Sequence, residues 1–192
     1  GNQSAITVKA EDKSTLGTAA LGIGGAGTAA VEGAAVTSDV AKDVSATMEE
    51  TNVQSVAAQP KAALEVSAAS TGALYSNAFV GAGAGTAGVG GGLAITTALG
   101  NTTALLSGGT QDVGGVGIRA RSANKILTIG IGGAGGGAAG VAGSAAVNVQ
   151  TGDTSAKIAG GAKLTSAHNV VVAATADRAV DTYAGVGTFA FT

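Results

Sequence analysis

The sequence predicts an all-β fold of repeated units wound as a parallel β-solenoid, and three observations predict it. Side chains keep a two-residue rhythm through long uncharged stretches, three landmarks recur at matching offsets, and glycine gathers in those stretches. A period of two marks an extended strand, because successive Cβ atoms point to opposite faces. Self-similarity over tens of residues marks an array of stacked units.

The stretch from Ile129 to Val149 shows the rhythm best. Its odd positions carry Ile129, Ile131, Val141, Val147 and Val149, and its even positions only Gly, Ala, Ser144 and Asn148. Related stretches run from Ala20 to Val36, Phe79 to Ile95 and Tyr183 to Thr192, with Phe79, Val89, Leu93 and Ile95 again on odd positions. Helical spacing at i, i+3, i+4 and i+7 is not followed. In the first copy Leu21, Ile23 and Val31 keep the phase but Val36 departs from it. Unbroken strands of this length are unusual, so breaks are expected at Gly24-Gly25, Gly90-Gly91-Gly92 and Gly135-Gly136-Gly137.

Before each stretch lies a short alternating segment, Ile6 to Ala10, Leu64 to Ala68, Val116 to Ala120 and Val170 to Ala174, and a mostly polar linker of about ten residues joins the two. Their central residues, Val8, Val66, Ile118 and Val172, are 58, 52 and 54 positions apart (8 to 66, 66 to 118, 118 to 172). A third block follows each complete stretch, and its alanines, Ala46, Ala104 and Ala156, are again 58 and 52 apart. The offsets divide the chain into a single repetitive domain of about 55-residue repeats, near 5–62, 63–115 and 116–168, with a partial one over 169–192. At roughly 18–25 residues per coil, such a unit would hold two or three coils. Residues 38–59 contain an N-cap candidate, Ser38, and tolerable helix formers; their register against the Gly-Asn-Thr-Thr and Gly-Asp-Thr-Ser turns favours strands, with a helix as the alternative.

Composition bounds the core and the partners. Glycine supplies 34 of 192 residues and proline one, while apolar residues reach 45%, aromatic ones 3% and charged ones 11%. Disordered chains combine low hydrophobicity with high charge, so a thin core of small side chains is expected instead. Glycine at alternate strand positions lets another backbone approach, and Gly133→Leu is expected to overpack it. The net charge of −2 carries no block of either sign, which leaves no footprint for nucleic acid. Absence of cysteine excludes disulfides and thiolate metal sites. No basic run leads into an apolar core at the start, so the chain reads as a piece of something longer.

The order of a Val-x-Val-x-Ala strand, a Gly/Ala stretch and an Asn/Asp-Thr-x-Ala-x-Ile block resembles the repetitive regions of large bacterial exoproteins exported by two-partner secretion. These are the filamentous-haemagglutinin-like adhesins and the leukotoxin-type proteins. Residues 140–149, Asp153 to Ile158 and Asn169 to Ala174 carry the likeness. It implies a right-handed β-helix shaft outside the cell, at the bacterial surface, serving adhesion or display. The partner would be a cell-surface receptor or a second copy. A pore-forming exoprotein and a self-assembling fibre subunit are the alternatives.

Sharper readings find little support. Three segments match G-x-G-x-x-G, at Gly22-Gly24-Gly27, Gly83-Gly85-Gly88 and Gly130-Gly132-Gly135. A dinucleotide site needs a helix and an acidic residue after the match, and here the strand rhythm simply continues. The calcium nonapeptide needs Asp inside a glycine run, but Asp112, Asp153 and Asp177 are scattered. His168 stands alone and reads as a turn residue; Arg119, Arg121 and Lys125 read as solvated edge charges. Asn2-Gln3-Ser4 and Asn101-Thr102-Thr103 fit the glycosylation sequon without further weight. The uncharged runs over 66–111 and 126–152 are too rich in Gly, Ala, Ser and Thr for membrane insertion to be expected. No catalytic, cofactor-binding or metal residue is predicted, no cofactor and no small-molecule substrate, and enzyme activity is not expected.

Overall fold

The computed structural model describes residues 5–54, 61–165 and 168–190, and every regular element among them is a β-strand. In chain order these are β1 (Ile6–Ala26), β2 (Ala29–Ala41), β3 (Val44–Glu49), β4 (Ala63–Ala84), β5 (Ala87–Leu99) and β6 (Thr102–Ser107). There follow β7 (Thr110–Asp112), β8 (Gly115–Gly136), β9 (Ala139–Thr151), β10 (Thr154–Ala159), β11 (Lys163–Thr165) and β12 (Asn169–Ala190). Residues 2–4 with their sequon, 55–59 of the helix-or-strand segment, 166–167 beside His168, and Phe191-Thr192 lie outside the described residues.

All ladders are parallel, in the orders β1-β4-β8-β12, β2-β5-β9, β3-β6-β10 and β7-β11. Val8 pairs with Val66, Val66 with Ile118 and Ile118 with Val172, at the 58, 52 and 54 offsets of the sequence landmarks. Ala46 pairs with Ala104 and Ala104 with Ala156 in the same way. The intervening sheet keeps the first two steps, Val31 to Val89 to Val141. Successive strands such as β1, β2 and β3 therefore belong to three different sheets, and each pairs by backbone hydrogen bonds with its counterpart further along the chain. This corrects the expectation of two or three coils of roughly 18–25 residues per unit: residues paired in these ladders stand 52 to 58 positions apart.

Two further expectations are corrected. The polar linker is strand, because β1, β4 and β8 run on through 11–19, 69–77 and 121–129. Their backbone groups are paired to neighbouring strands over the full length, and that ladder outweighs weak local propensity. Nor does the chain break at Gly24-Gly25 or at Gly90-Gly91-Gly92, which sit inside β1 and β5. Each of the first three Gly/Ala stretches bends once, at Gly27-Thr28, Gly85-Thr86 and Gly137-Ala138, and passes from one sheet to the next. Residues 38–54 hold no helix; Ser38 is in β2 and Met48 in β3.

The core has two parts. The first halves of β4 and β8 bury Leu64, Val66, Val116 and Ile118 against Val44, Met48, Ala104, Leu106 and Val113. Further along the same strands Leu74 and Ile126 pack on Ala98 and Val40. Beyond that point the inward side chains are mostly Gly and Ala, with Val80 buried among them, and the second halves of β1, β4 and β8 lie flat against β2, β5 and β9 as a two-layer blade. Inside the blade a Cβ on Gly92 would lie 2.9 Å from the Ile131 carbonyl oxygen, and one on Gly130 would lie 2.5 Å from that of Ala145. Real Cβ atoms do not approach so closely, so these glycines are required. Gly133 is not among them: its Cβ would face outward at 3.4 Å from the nearest atom, and the inward residue is Gly132. The overpacking expected of Gly133→Leu is thereby corrected by one residue of register.

Candidate functional site

Where the blade joins the wider core, its inner faces carry hydroxyls instead of methyls. Thr18, Ser38 and Ser76 form one cluster, with Ser38 Oγ 3.1 Å from Ser76 Oγ and Thr18 Oγ1 3.3 Å from it. Thr96 Oγ1 lies 2.7 Å from Thr128 Oγ1, Thr128 donates to Asn148 Oδ1, and Asn148 Nδ2 donates to Thr182 Oγ1 at 2.5 Å. Ser76, Thr96 and Thr128 are fully buried. Buried hydroxyls are tolerable when each has a partner, and the ladder supplies one. It ties the two sheets together; the groups are neutral and paired, which gives them no nucleophilic activation.

A small cavity adjoins this ladder, lined by Lys42, Leu74, Asn124, Gln150 and Arg178 among others, with room for about one water molecule. Asn124 Oδ1 and Gln150 Oε1 are buried without a hydrogen-bond partner among the described residues. Lys42 Nζ is engaged by Asp12 at 2.8 Å and donates to Ser14 Oγ at 3.0 Å.

The turns before β3, β6 and β10 stack an Asx column. Asp43 Oδ1 accepts from the Asn101 backbone N–H at 2.8 Å, and Asn101 Oδ1 accepts from that of Asp153 at 2.9 Å. Asn101, the sequon residue, is therefore used in the turn column. Asp112 receives Lys61 Nζ at 2.5 Å, and Asp177 lies 3.9 Å from Arg121. Arg119 pairs with Glu65 at 2.9 Å across adjacent strands, and both are half-exposed, so the pair contributes at most about 1 kcal/mol. The His168 backbone N–H donates to Gly114 O at 3.0 Å in the bend before β12. No three of His, Cys, Asp and Glu gather as metal ligands among the described residues. Among the described residues, Glu11 is strongly shifted in acidity. Hydrogen bonds from Lys13 and Lys9 hold its carboxyl down to about 2 on an exposed strand face.

The G-x-G-x-x-G glycines lie in strands or in the bend at Gly85 and Gly27, with no helix following. None has the positive φ found at Gly100, Gly108, Gly109, Gly152, Gly160 and Gly161. They do not form a phosphate cradle.

What the fold does present is surface. On the outer faces of the blade the large apolar side chains point away from the core: Leu21 is 70% exposed, Ile23 75%, Val31 76% and Val141 60%. Val89, Leu93, Ile131, Val147, Tyr183 and Phe189 join them. Charge is absent from residues 66–111 and 126–152, which supply most of both faces. The rule that apolar residues turn inward is inverted here because backbone approaches backbone across the blade, as at Gly92 and Gly130, and leaves little room inside for large side chains. Extended apolar faces of this kind mark interaction surfaces. The sequence showed the alternation plainly, yet not which phase would face outward. No protein-family model, no curated protein and no solved structure matches the chain.

Proposed function

We propose that the chain is a segment of the shaft of a large extracellular bacterial adhesin of the filamentous-haemagglutinin-like kind, non-catalytic, at the bacterial cell surface. In this reading the parallel sheets are the walls of a right-handed β-solenoid with units of about 55 residues, near the boundaries 5–62, 63–115, 116–168 and 169–192. One observation carries it: the offsets of 58 and 52 are kept in the first three sheets at once, so each unit stacks as a whole on the next. Units that touch only their neighbours can be added without limit.

The size of the unit says what such a shaft is for. Each added strand advances the stack by about 4.8 Å, whether a circuit takes about 20 residues or about 55. A shaft serving reach alone would use the shorter circuit. The additional residues form the blade, so the fold presents lateral surface to partners. The test is retention of beads coated with the chain on cultured host cells, against beads coated with an inert protein. Saturable retention is expected; retention equal to the control contradicts adhesion.

A segment of a pore-forming or leukotoxin-type exoprotein is the second reading, favoured by the uncharged outer faces of β5 and β9. Dye release from phospholipid vesicles separates the two, since a display shaft releases none.

A further inference from the structure

We propose that the outer face of the β2-β5-β9 sheet docks on the same face of a second copy of this chain. This lateral contact between blades does not depend on the adhesin reading.

The face is shaped as ridge and groove. The ladder aligns Val31, Val89 and Val141 in one column, Gly33, Gly91 and Gly143 in the next outward one, and Ala35, Leu93 and Ala145 beyond it. The glycine column has no cause inside the fold. A Cβ on Gly143 would meet nothing within 4 Å, and on Gly33 and Gly91 the nearest atoms stand at 3.8 and 3.7 Å. Glycine in a strand is destabilising relative to Ala, and a strand glycine without an internal reason marks close approach by another backbone. Inside the blade the required glycines Gly92 and Gly130 face the opposing backbone in just that manner. The outer face repeats the chemistry of the inner one without a covering layer.

A second copy fits better than other occupants. Lipid chains are fluid and need no shaped groove, and a polar protein surface would find few hydrogen-bonding side chains opposite. Between two copies related by a two-fold axis, the Val89 ridge of each lies over the Gly91 groove of the other, a self-complementary arrangement. The sheet carries one outward charge, Asp39, toward the end of the face; Glu32 turns inward beside Gly24. Three strands of 13 residues span about 43 by 14 Å. That buries about 600 Å² per copy, or about 1,200 Å² in all, the lower bound for a specific interface. One chain of this length should therefore associate reversibly and weakly, and a longer stack more tightly.

Sedimentation equilibrium on the 192-residue chain, from micromolar to near-millimolar concentration, tests this with two variants. The expected result is a reversible monomer–dimer equilibrium. Val89→Lys places like charges together and should weaken it about tenfold or more. Gly143→Val fills the groove and should weaken it about tenfold, while its circular dichroism and thermal midpoint stay at or above wild-type values because its own fold leaves the space open. A wild-type chain that stays monomeric overturns the proposal. So does association untouched by both variants, which would assign it to the strand edges. Flotation of a monomeric chain with phosphatidylcholine vesicles would assign the face to lipid and overturn it equally.

Discussion

Gly92 of β5 and Ile131 of β8 face each other across the blade so closely that a Cβ on Gly92 would lie 2.9 Å from the Ile131 carbonyl oxygen. Backbone packs on backbone here, and the sheets cannot separate without exposing the hydroxyl ladder at the blade's base. Gly92→Val should therefore destabilise by about 1–3 kcal/mol or more. Gly143→Ala, on the open outer face, should be neutral or stabilising by up to about 1 kcal/mol. Urea midpoints measure both. Equal effects would mean the sheets do not meet as described.

The Thr96–Thr128 contact gives a second expectation. Both hydroxyls are buried, 2.7 Å apart, with Thr128 also donating to Asn148. Thr128→Val strands the Thr96 hydroxyl and should cost about 1–3 kcal/mol. The double variant Thr96→Val/Thr128→Val should cost less than the sum of the singles, because the second change removes the stranded group. Additive losses in a double-mutant cycle would contradict the ladder.

Glu50 holds a left-handed backbone at φ +47°, and the residues stacked in its place further along are Gly108 at +64° and Gly160 at +63°. A side chain costs about 1–2 kcal/mol in that region. Glu50→Gly should stabilise the fold by about 1 kcal/mol after the entropy of glycine is set against it. A lower thermal midpoint would contradict this.

Acidity supplies a fourth expectation. The Glu11 carboxyl, ordinarily at 4.5, is held at about 2 by hydrogen bonds from Lys13 and Lys9. A depressed folded value stabilises the fold above the unfolded one, so this contribution is full above about pH 4.5 and is lost as pH falls toward 2. The trio is exposed, and salt should weaken it. In a carboxyl NMR titration the Glu11 midpoint should sit near 2 at low salt and rise in molar salt. An ordinary midpoint at low salt would mean that Lys9 and Lys13 do not hold it.

Much of the fold was legible before its coordinates. The alternation identified strands, and the spacing of Val8, Val66, Ile118 and Val172 is the register of the first sheet. Other features depend on neighbours that the sequence does not display. Residues 121–125 look like a polar loop alone but are strand because β4 and β12 flank them. Val36 seemed out of phase because it occupies one of the even positions, which turn inward in both β1 and β2, whereas Leu21, Ile23 and Val31 sit on the outward odd ones. The outer face was hidden most deeply: Ile131 and Val141 read as core by hydrophobicity, and only the closeness of the sheets turns them out.

The central claim is that each unit lies in parallel register on the next. Nitroxide labels at Val31 and Val89, introduced as cysteines into a chain that has none, test it most directly. Paired parallel residues stand about 4.8 Å apart, so strong dipolar broadening is predicted for this pair and weaker broadening for Val31 with Val141, one strand further on. Broadening absent from the first pair, or stronger in the second, would contradict the account.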